Sequence, residues 1–392
     1  MASVFGREEF KRHARRWAMR TGEFARRAGY FDGSVYASML TSLGWLGARF
    51  GAEIRPLYLP CARAVNLDSG IVPGGWTASA GGDGLSALFE RSDWTTQGVL
   101  YVHYGAKYGN VLLRVSGTPE APALEPVNPE TCMLCGDGLY RKEPTLALTV
   151  MQVDYGGSVV EYAEVVDARR VRTFLDGEPA SVDGRPAVYE NPFGVVPFVE
   201  VKHINGGDEI GDCAFQAALA LLDTVNELAT DLATVIKQHA KPKWAVLGAE
   251  EADLSNEDDI WTFPQGSDVK VLVPGIDVAG VLKFLQDTRT QVERAIPELA
   301  LDEIVSKYNI ATATVELQLA ELVLLIERVR PNYDRGLERA CAVAGVKGVR
   351  LDAERRILPS GERARLELDL LRAQIEQTKR VAAAGGAGWT KQ

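Results

Sequence analysis

The strongest constraint in this chain is a pair of helical patterns separated by a short insert. From Ala214 to Ala240, apolar residues recur at 218, 221/222, 225, 228/229, 232 and 235/236. That three-to-four spacing marks one face of an α-helix. At 1.5 Å per residue such a helix is about 40 Å long. Lys241, Pro242 and Lys243 stop it, because proline offers no amide to continue the ladder. A second pattern opens after Asp277, a good N-cap, and runs to about Ala295, just before Pro297. The insert between them, Trp244 to Gly275, carries Trp244, Trp261 and Phe263 beside Glu250, Glu251, Asp253, Glu257, Asp258 and Asp259. A helix out, a compact insert and a helix back make a stalk with a tip. The stalk exposes small positions (Ala217, Ala218, Ala220, Ala229, Ala233), and few other helices are available to cover it. Neighbouring copies are the natural expectation, with Ala218, Leu222, Val225, Leu228, Leu232 and Ile236 at the interface.

The rest of the chain sets the context of the stalk. Glu8–Ala28 reads as a basic helix with Phe10, Trp17 and Phe24 spaced seven apart. That stripe docks on its own domain, on a partner subunit or on an anionic surface. The glycine-rich run 74–84 reads as a flexible loop and holds no phosphate-binding GxxxxGK[ST] pattern. From Gly98 to His203 the period changes to two, with strand-like runs at 99–104, 110–115, 147–153 and 160–166. Hairpin turns are expected at 154–157 and 176–177. Pro192 and Pro197 make 191–203 an edge or an extended strap. Beyond a polar stretch 301–314, a third long helix is expected over 315–344, and a helix start at Pro359-Ser360-Gly361-Glu362 feeds a charged helix 363–384. The fold class is α+β. A length of 392 residues is enough for two or three domains or one elaborated one.

Composition excludes several classes. With 46% hydrophobic and 24% charged residues, the chain has the balance of a folded protein rather than a disordered one. No stretch approaches the ~18 uninterrupted apolar residues of a membrane span. The first 30 residues lack the apolar core of a secretory signal, so use without secretion is expected. The net charge of −10 disfavours tight wrapping of duplex DNA, whose affinity comes from lysine and arginine displacing counterions. Five cysteines form an odd set with no framework spacing, which fits a reducing compartment. There is no HExxH or GxSxG, and the four histidines lie far apart. Cys132 and Cys135 form a lone CxxC, read as a turn with two free thiols rather than a zinc or redox site. Neither a cofactor, a metal nor a catalytic site is expected.

The residues over roughly 190–345 resemble the portal proteins of tailed bacteriophages. NPFGVVPFVEV (191–201), INGGDEIGD (204–212) and ALLDTVNELATD (220–231) are similar to the family's G-x-V-P strap leading through Asn and Gly into a helix containing Asp and Asn. KPKWAVLG (241–248) resembles the stretch that leaves that helix, and Leu358-Pro359-Ser360 resembles the opening of its last one. The order of features carries the likeness; no single motif is diagnostic. It implies a wing at 1–212 with a long helix at 315–345, and a stem at 213–241 and 277–296. It further implies a clip at 242–276, a tunnel loop at 297–314, and a crown with a flexible tail at 346–392. It also implies a homo-oligomeric ring, usually of twelve, at one capsid vertex of the virion, assembled in the host cytoplasm. Double-stranded DNA would pass through its channel. Terminase large subunit and then a head–tail adaptor would dock on the clip, with major capsid or scaffold proteins around the ring and no membrane contact.

Acidity is compatible with such a conduit. A twelvefold ring multiplies the charge of −10, and the resulting field repels phosphate rather than trapping it. Lys237, Lys241 and Lys243 at the far end of the first stem helix, with Lys307, Tyr308 and Asn309 in the tunnel loop, are the residues expected to touch DNA. Each lysine is otherwise an ordinary solvated side chain. Trp244, Glu250, Glu251, Asp253, Asp258, Asp259 and Trp261 are the expected docking surface. Two other readings stay open: a different oligomeric head scaffold or minor head protein without an open ring, and a nucleic-acid or membrane-surface binder using the basic helix 7–27.

Overall fold

The computed structural model describes residues 3–42, 57–74, 76, 78–80, 82–136, 144–239, 243–247, 268–272, 278–299 and 312–351. The chain opens with the long helix α1 (Glu8–Asp32) and the short α2 (Ala37–Ser42). Then come α3 (Cys61–Ile71), strand β1 (Ala78–Ala80), α4 (Gly82–Arg91) and α5 (Trp94–Tyr108). Residues 78–80 and 82–84 therefore depart from the expected flexible loop: they supply a short strand and the start of α4.

The expected strand 99–104 is also corrected, because it lies inside α5. Its buried positions are Trp94, Gly98, Tyr101, Val102, Gly105, Ala106 and Tyr108, the three-to-four spacing of a helix. The helix ends at Gly109, whose φ of 83° closes a left-handed cap with its amide on the Gly105 carbonyl.

Among the described residues all strand pairing is antiparallel. One sheet has the order β10-β2-β3, from Phe198–Lys202, Asn110–Thr118 and Ala121–Val127. A second runs β4-β5-β6-β7-β8, from Cys132–Cys135, Leu146–Tyr155, Ser158–Asp167, Arg170–Leu175 and Glu178–Pro179, with β9 (Val188–Glu190) on β7. Two turns match their sequence signals. Gly156 and Gly157, at φ 65° and 83°, join the pair Tyr155/Ser158. Asp176 and Gly177, at φ 45° and 79°, join Leu175/Glu178. Positive φ at both central residues gives the turn twist that suits a two-residue hairpin. The strap ends as an edge strand, with β10 on the outside of its sheet. Asn191 ties its start, donating from Nδ2 to the carbonyls of Asp167 (2.7 Å) and Val195 (2.8 Å).

Cys132 and Cys135 sit in a buried strand rather than a turn. Their odd spacing puts them on opposite faces of the sheet. Cys132 packs with Leu112, Ala147 and Phe198, whereas Cys135 packs with Phe10, Met133 and Leu148. The two sulfurs cannot share a metal or a disulfide. Burial pushes the Cys132 thiol up to about 12, which keeps it protonated and inert.

The aromatic stripe of α1 docks on its own chain. Phe10 meets Phe174 edge-on at 5.9 Å, and Phe24 meets Tyr108 at 5.9 Å. Two of its arginines turn inward as well. Arg20 is buried and donates to Glu200 at 2.5 Å. Arg27 is buried and donates from Nη1 to the carbonyls of Tyr108 and Gly211, both at 2.6 Å, while its Nε pairs with Glu23 at 3.0 Å. Arg16 also pairs with Glu209. A nucleic-acid reading of this helix loses these side chains, because their charge is already met by carboxylates and carbonyls.

The main core joins α4, α5, the β10-β2-β3 sheet and α8 (Thr312–Val343). Close approach there depends on glycine. A Cβ at Gly105 would overlap the Tyr333 hydroxyl, and one at Gly336 would overlap Val201. The chain then reaches β13 (Arg350–Leu351), which pairs with β1.

Candidate functional site

Of the expected helix–insert–helix unit, both helices and two strands of the insert are among the described residues. α6 (Leu219–His239) leads to the antiparallel strands β11 (Lys243–Leu247) and β12 (Asp268–Leu272), and α7 (Val278–Ala295) returns. The unit is rooted in the body before it extends. Leu219, Leu222 and Val225 of α6 pack with Val292 and Ile296 at the end of α7, and with Cys61, Ala64 and Val65 of α3.

Two polar residues interrupt this apolar stripe, and both are anchors. Asp223 accepts hydrogen bonds from the hydroxyls of Tyr30 (2.8 Å) and Tyr36 (2.9 Å). Asn226 is fully buried and spends both ends of its amide on one residue. Its Oδ1 accepts from the Tyr58 amide at 2.7 Å and its Nδ2 donates to the Tyr58 carbonyl at 3.2 Å. Tyr58 in turn reaches α7: its hydroxyl donates to Glu293 at 3.3 Å, and Arg289 lies 4.6 Å from its ring centre. Burial, and then the neighbouring carboxylates, push the phenols of Tyr30 and Tyr58 up to about 12. Both remain hydroxyl donors at neutral pH. Removing the Asn226 amide leaves the partly buried Tyr58 N–H and C=O without their partner. Asn226→Ala is therefore expected to cost about 2–4 kcal/mol, read from urea unfolding of the purified chain.

Ala218, Leu222, Val225 and Leu232 are buried within their own chain and Leu228 is half-buried. Around Ala218, Leu222 and Val225 the cover comes from Val292 and Ile296 at the end of α7 and from Cys61, Ala64 and Val65 of α3. In the described part of α6, Ala220, Thr224, Glu227 and Asp231 face solvent, as does Ala217 in the turn before it. α7 exposes Leu282 and Phe284, the latter 55% accessible, and α8 exposes Leu324 at 64%. These large apolar side chains were not singled out from the sequence, although Phe284 breaks the polar face of its helix.

The remaining expected residues lie at the edge of the description. Lys237 and Ile236 belong to α6, and Lys243 and Trp244 to β11, but their side chains are outside the described residues. Lys241, Glu250, Glu251, Asp253, Asp258, Asp259, Trp261, Lys307, Tyr308 and Asn309 fall wholly outside them, as does the expected charged helix 363–384. Elsewhere, an open depression of about 580 Å³ is lined by Trp76, Phe89, Trp94, Glu90 and Asp93. It brings no nucleophile and base together. Among the described residues, no group of three or more His, Cys, Asp or Glu could hold a metal ion, and no helix is long and apolar enough to cross a membrane.

Residues 94–294, just over half of the chain, match the profile of the phage portal protein family, SPP1 Gp6-like. The chain belongs to this portal family. The matched stretch runs from the start of α5 through both sheets and ends within α7. No curated protein sequence matches significantly. Among solved structures, this portal-family chain is similar to one in the neck of an empty gene transfer agent particle computed with C6 symmetry. The identity is 17%, covering 85% of this chain and 87% of that one, with a TM-score of 0.44. A chain in the neck of the native particle computed with C12 symmetry gives 16% identity, coverage of 81% and 85%, and a TM-score of 0.43.

Proposed function

We propose that this chain is the portal subunit of a phage-like particle, forming a ring, twelvefold by family habit, at one capsid vertex. In this reading α6 and α7 form the stem and β11–β12 the core of the clip. The supporting observation is the helix–hairpin–helix unit rooted by Asp223 and Asn226, within a chain whose family match covers that root. Double-stranded DNA enters through the axial channel during packaging and leaves by it during ejection. Lys237, Lys241, Lys243 and Lys307, with Tyr308 and Asn309, make weak, sequence-independent contact with its phosphates. The clip, with Trp244, Trp261 and its acids, receives terminase and later the head–tail adaptor, and capsid or scaffold proteins surround the ring. The role is structural, in the virion, without catalysis.

In such a ring the exposed Leu282, Phe284 and Leu324 are the surfaces a neighbouring subunit covers. Mass photometry with negative-stain microscopy in moderate salt tests the reading. Rings with a central hole, near twelve times 42.6 kDa or one subunit more, are the expected result. A compact dimer that binds DNA through residues 1–28 would end it. Phe284→Glu places a charge where apolar contact is needed, so the expected outcome is loss of rings with an unchanged circular-dichroism spectrum.

A further inference from the structure

Beneath the stem root, four ionisable side chains from distant parts of the chain meet in a dry site. Asp68 comes from α3, His203 from the end of β10, Glu298 from the 3-10 turn Pro297–Leu299 that follows α7, and Tyr333 from α8. All four are buried. His203 Nε2 stands 3.2 Å from Asp68 Oδ2, and its Nδ1 stands 2.9 Å from the Tyr333 hydroxyl. The hydroxyl also reaches the Val102 carbonyl at 3.4 Å, and Asn332 donates to the His203 carbonyl at 3.1 Å. The turn that carries Glu298 packs on α3, the helix that carries Asp68, and the two carboxyl groups act on each other. Yet Asp68 Oδ2 and both Glu298 oxygens have no hydrogen-bond donor of good geometry.

Two ionised carboxylates offer only acceptors, and their contact in a dry site is repulsive. One proton between them converts the same contact into a hydrogen bond. We propose that Asp68 and Glu298 share a proton, and that this proton is a clasp holding the turn after α7 onto α3. His203 and Tyr333 extend the clasp to β10 and α8. When the proton leaves, two like charges press on each other and the turn 297–299 is driven off α3. Among the described residues no arginine or lysine is paired with either carboxyl: the charged group acting on Glu298 is Asp68, with His203 beyond it, and Tyr333 and Tyr101 contribute neutral hydroxyls. Burial first, and the Asp68 charge second, raise the Glu298 carboxyl far above the usual carboxylate range.

The sign of the pH effect follows. Glu298 binds its proton more tightly in the folded chain than in the unfolded one, so stability from this group is full below the ordinary carboxylate range. It falls as pH rises toward the raised folded value. Glu298→Gln supplies a permanent donor of the same shape. The assembled wild-type protein should show a protonated-carboxyl carbonyl band by infrared spectroscopy at pH 7.5, lost in E298Q. Its melting temperature should fall between pH 6 and 9 more steeply than that of E298Q. Asp68→Asn gives the second reading, since its amide donates to an ionised Glu298 and should move the band's disappearance to lower pH. Absence of the band in wild-type protein overturns the proposal, as does a band unchanged in E298Q. A rise in melting temperature with Zn²⁺ or Mn²⁺ that E298Q abolishes would overturn it in favour of a cation.

Discussion

Gly105→Ala is expected to destabilise the chain by about 3 kcal/mol, the upper end of what overpacking costs. A Cβ at this position overlaps the Tyr333 hydroxyl and lies 2.8 Å from Cζ of the same ring. The ring cannot swing aside. Tyr101 meets it edge-on at 5.1 Å, and His203 Nδ1 holds its hydroxyl at 2.9 Å. The cause can be isolated with Tyr333→Phe, which alone loses a hydroxyl hydrogen bond worth about 1 kcal/mol. In the double variant the missing oxygen relieves part of the overlap, so the combined loss should fall short of the sum by about 1 kcal/mol. Additivity within about 0.5 kcal/mol would locate the damage elsewhere. Urea unfolding of all three variants is the measurement.

Arg27→Ala should cost as much or more, about 3–5 kcal/mol. The guanidinium sits at the C-terminal end of α5, where helix carbonyls carry partial negative charge, and bonds the Tyr108 and Gly211 carbonyls together. Its loss strands both oxygens and leaves Glu23 with Arg26 as its remaining cation. Burial raises the Glu23 carboxyl, but hydrogen bonds and charge from Arg26 and Arg27 outweigh that and hold it below its usual range. Arg27→Lys should recover little, because one ammonium cannot span two carbonyls and a carboxylate with the geometry of a planar fork. Thermal melting at low and high salt checks this. A loss that disappears in high salt would mark an ordinary surface charge.

Periodicity made the long helices legible. α6, α7 and α8 repeat an apolar face over several turns, and their ends fall within a few residues of the expected ones. The run 99–104 was too short to separate a strand from a helix buried on more than one side. α3 went unseen because Asp68 and Ser69 occupy buried positions on its face, where a sequence pattern reads polar residues as surface. Asp223 and Asn226 were visible as interruptions of an apolar stripe. Their partners Tyr30, Tyr36 and Tyr58 lie more than 160 residues earlier in the chain, and no local pattern records such a pairing. The same holds for the cover of α6. An apolar face on one helix demands a cover, but only the fold says that around Leu222 and Val225 it comes from α7 and α3.

The fixed root of α6 gives the hairpin beyond it a mechanical character. From Asn226 to His239 the helix runs thirteen residues, roughly 20 Å past the buried anchor Asn226. It therefore behaves as a lever with its fulcrum at Tyr58. A tilt of about 5° at that fulcrum sweeps the far end through nearly 2 Å, by the geometry of a 20 Å arm. α7 returns to the same fulcrum through Glu293, so the two arms swing together. Displacement imposed at the hairpin would reach the body as a small torque on Tyr58 and the loop that carries it.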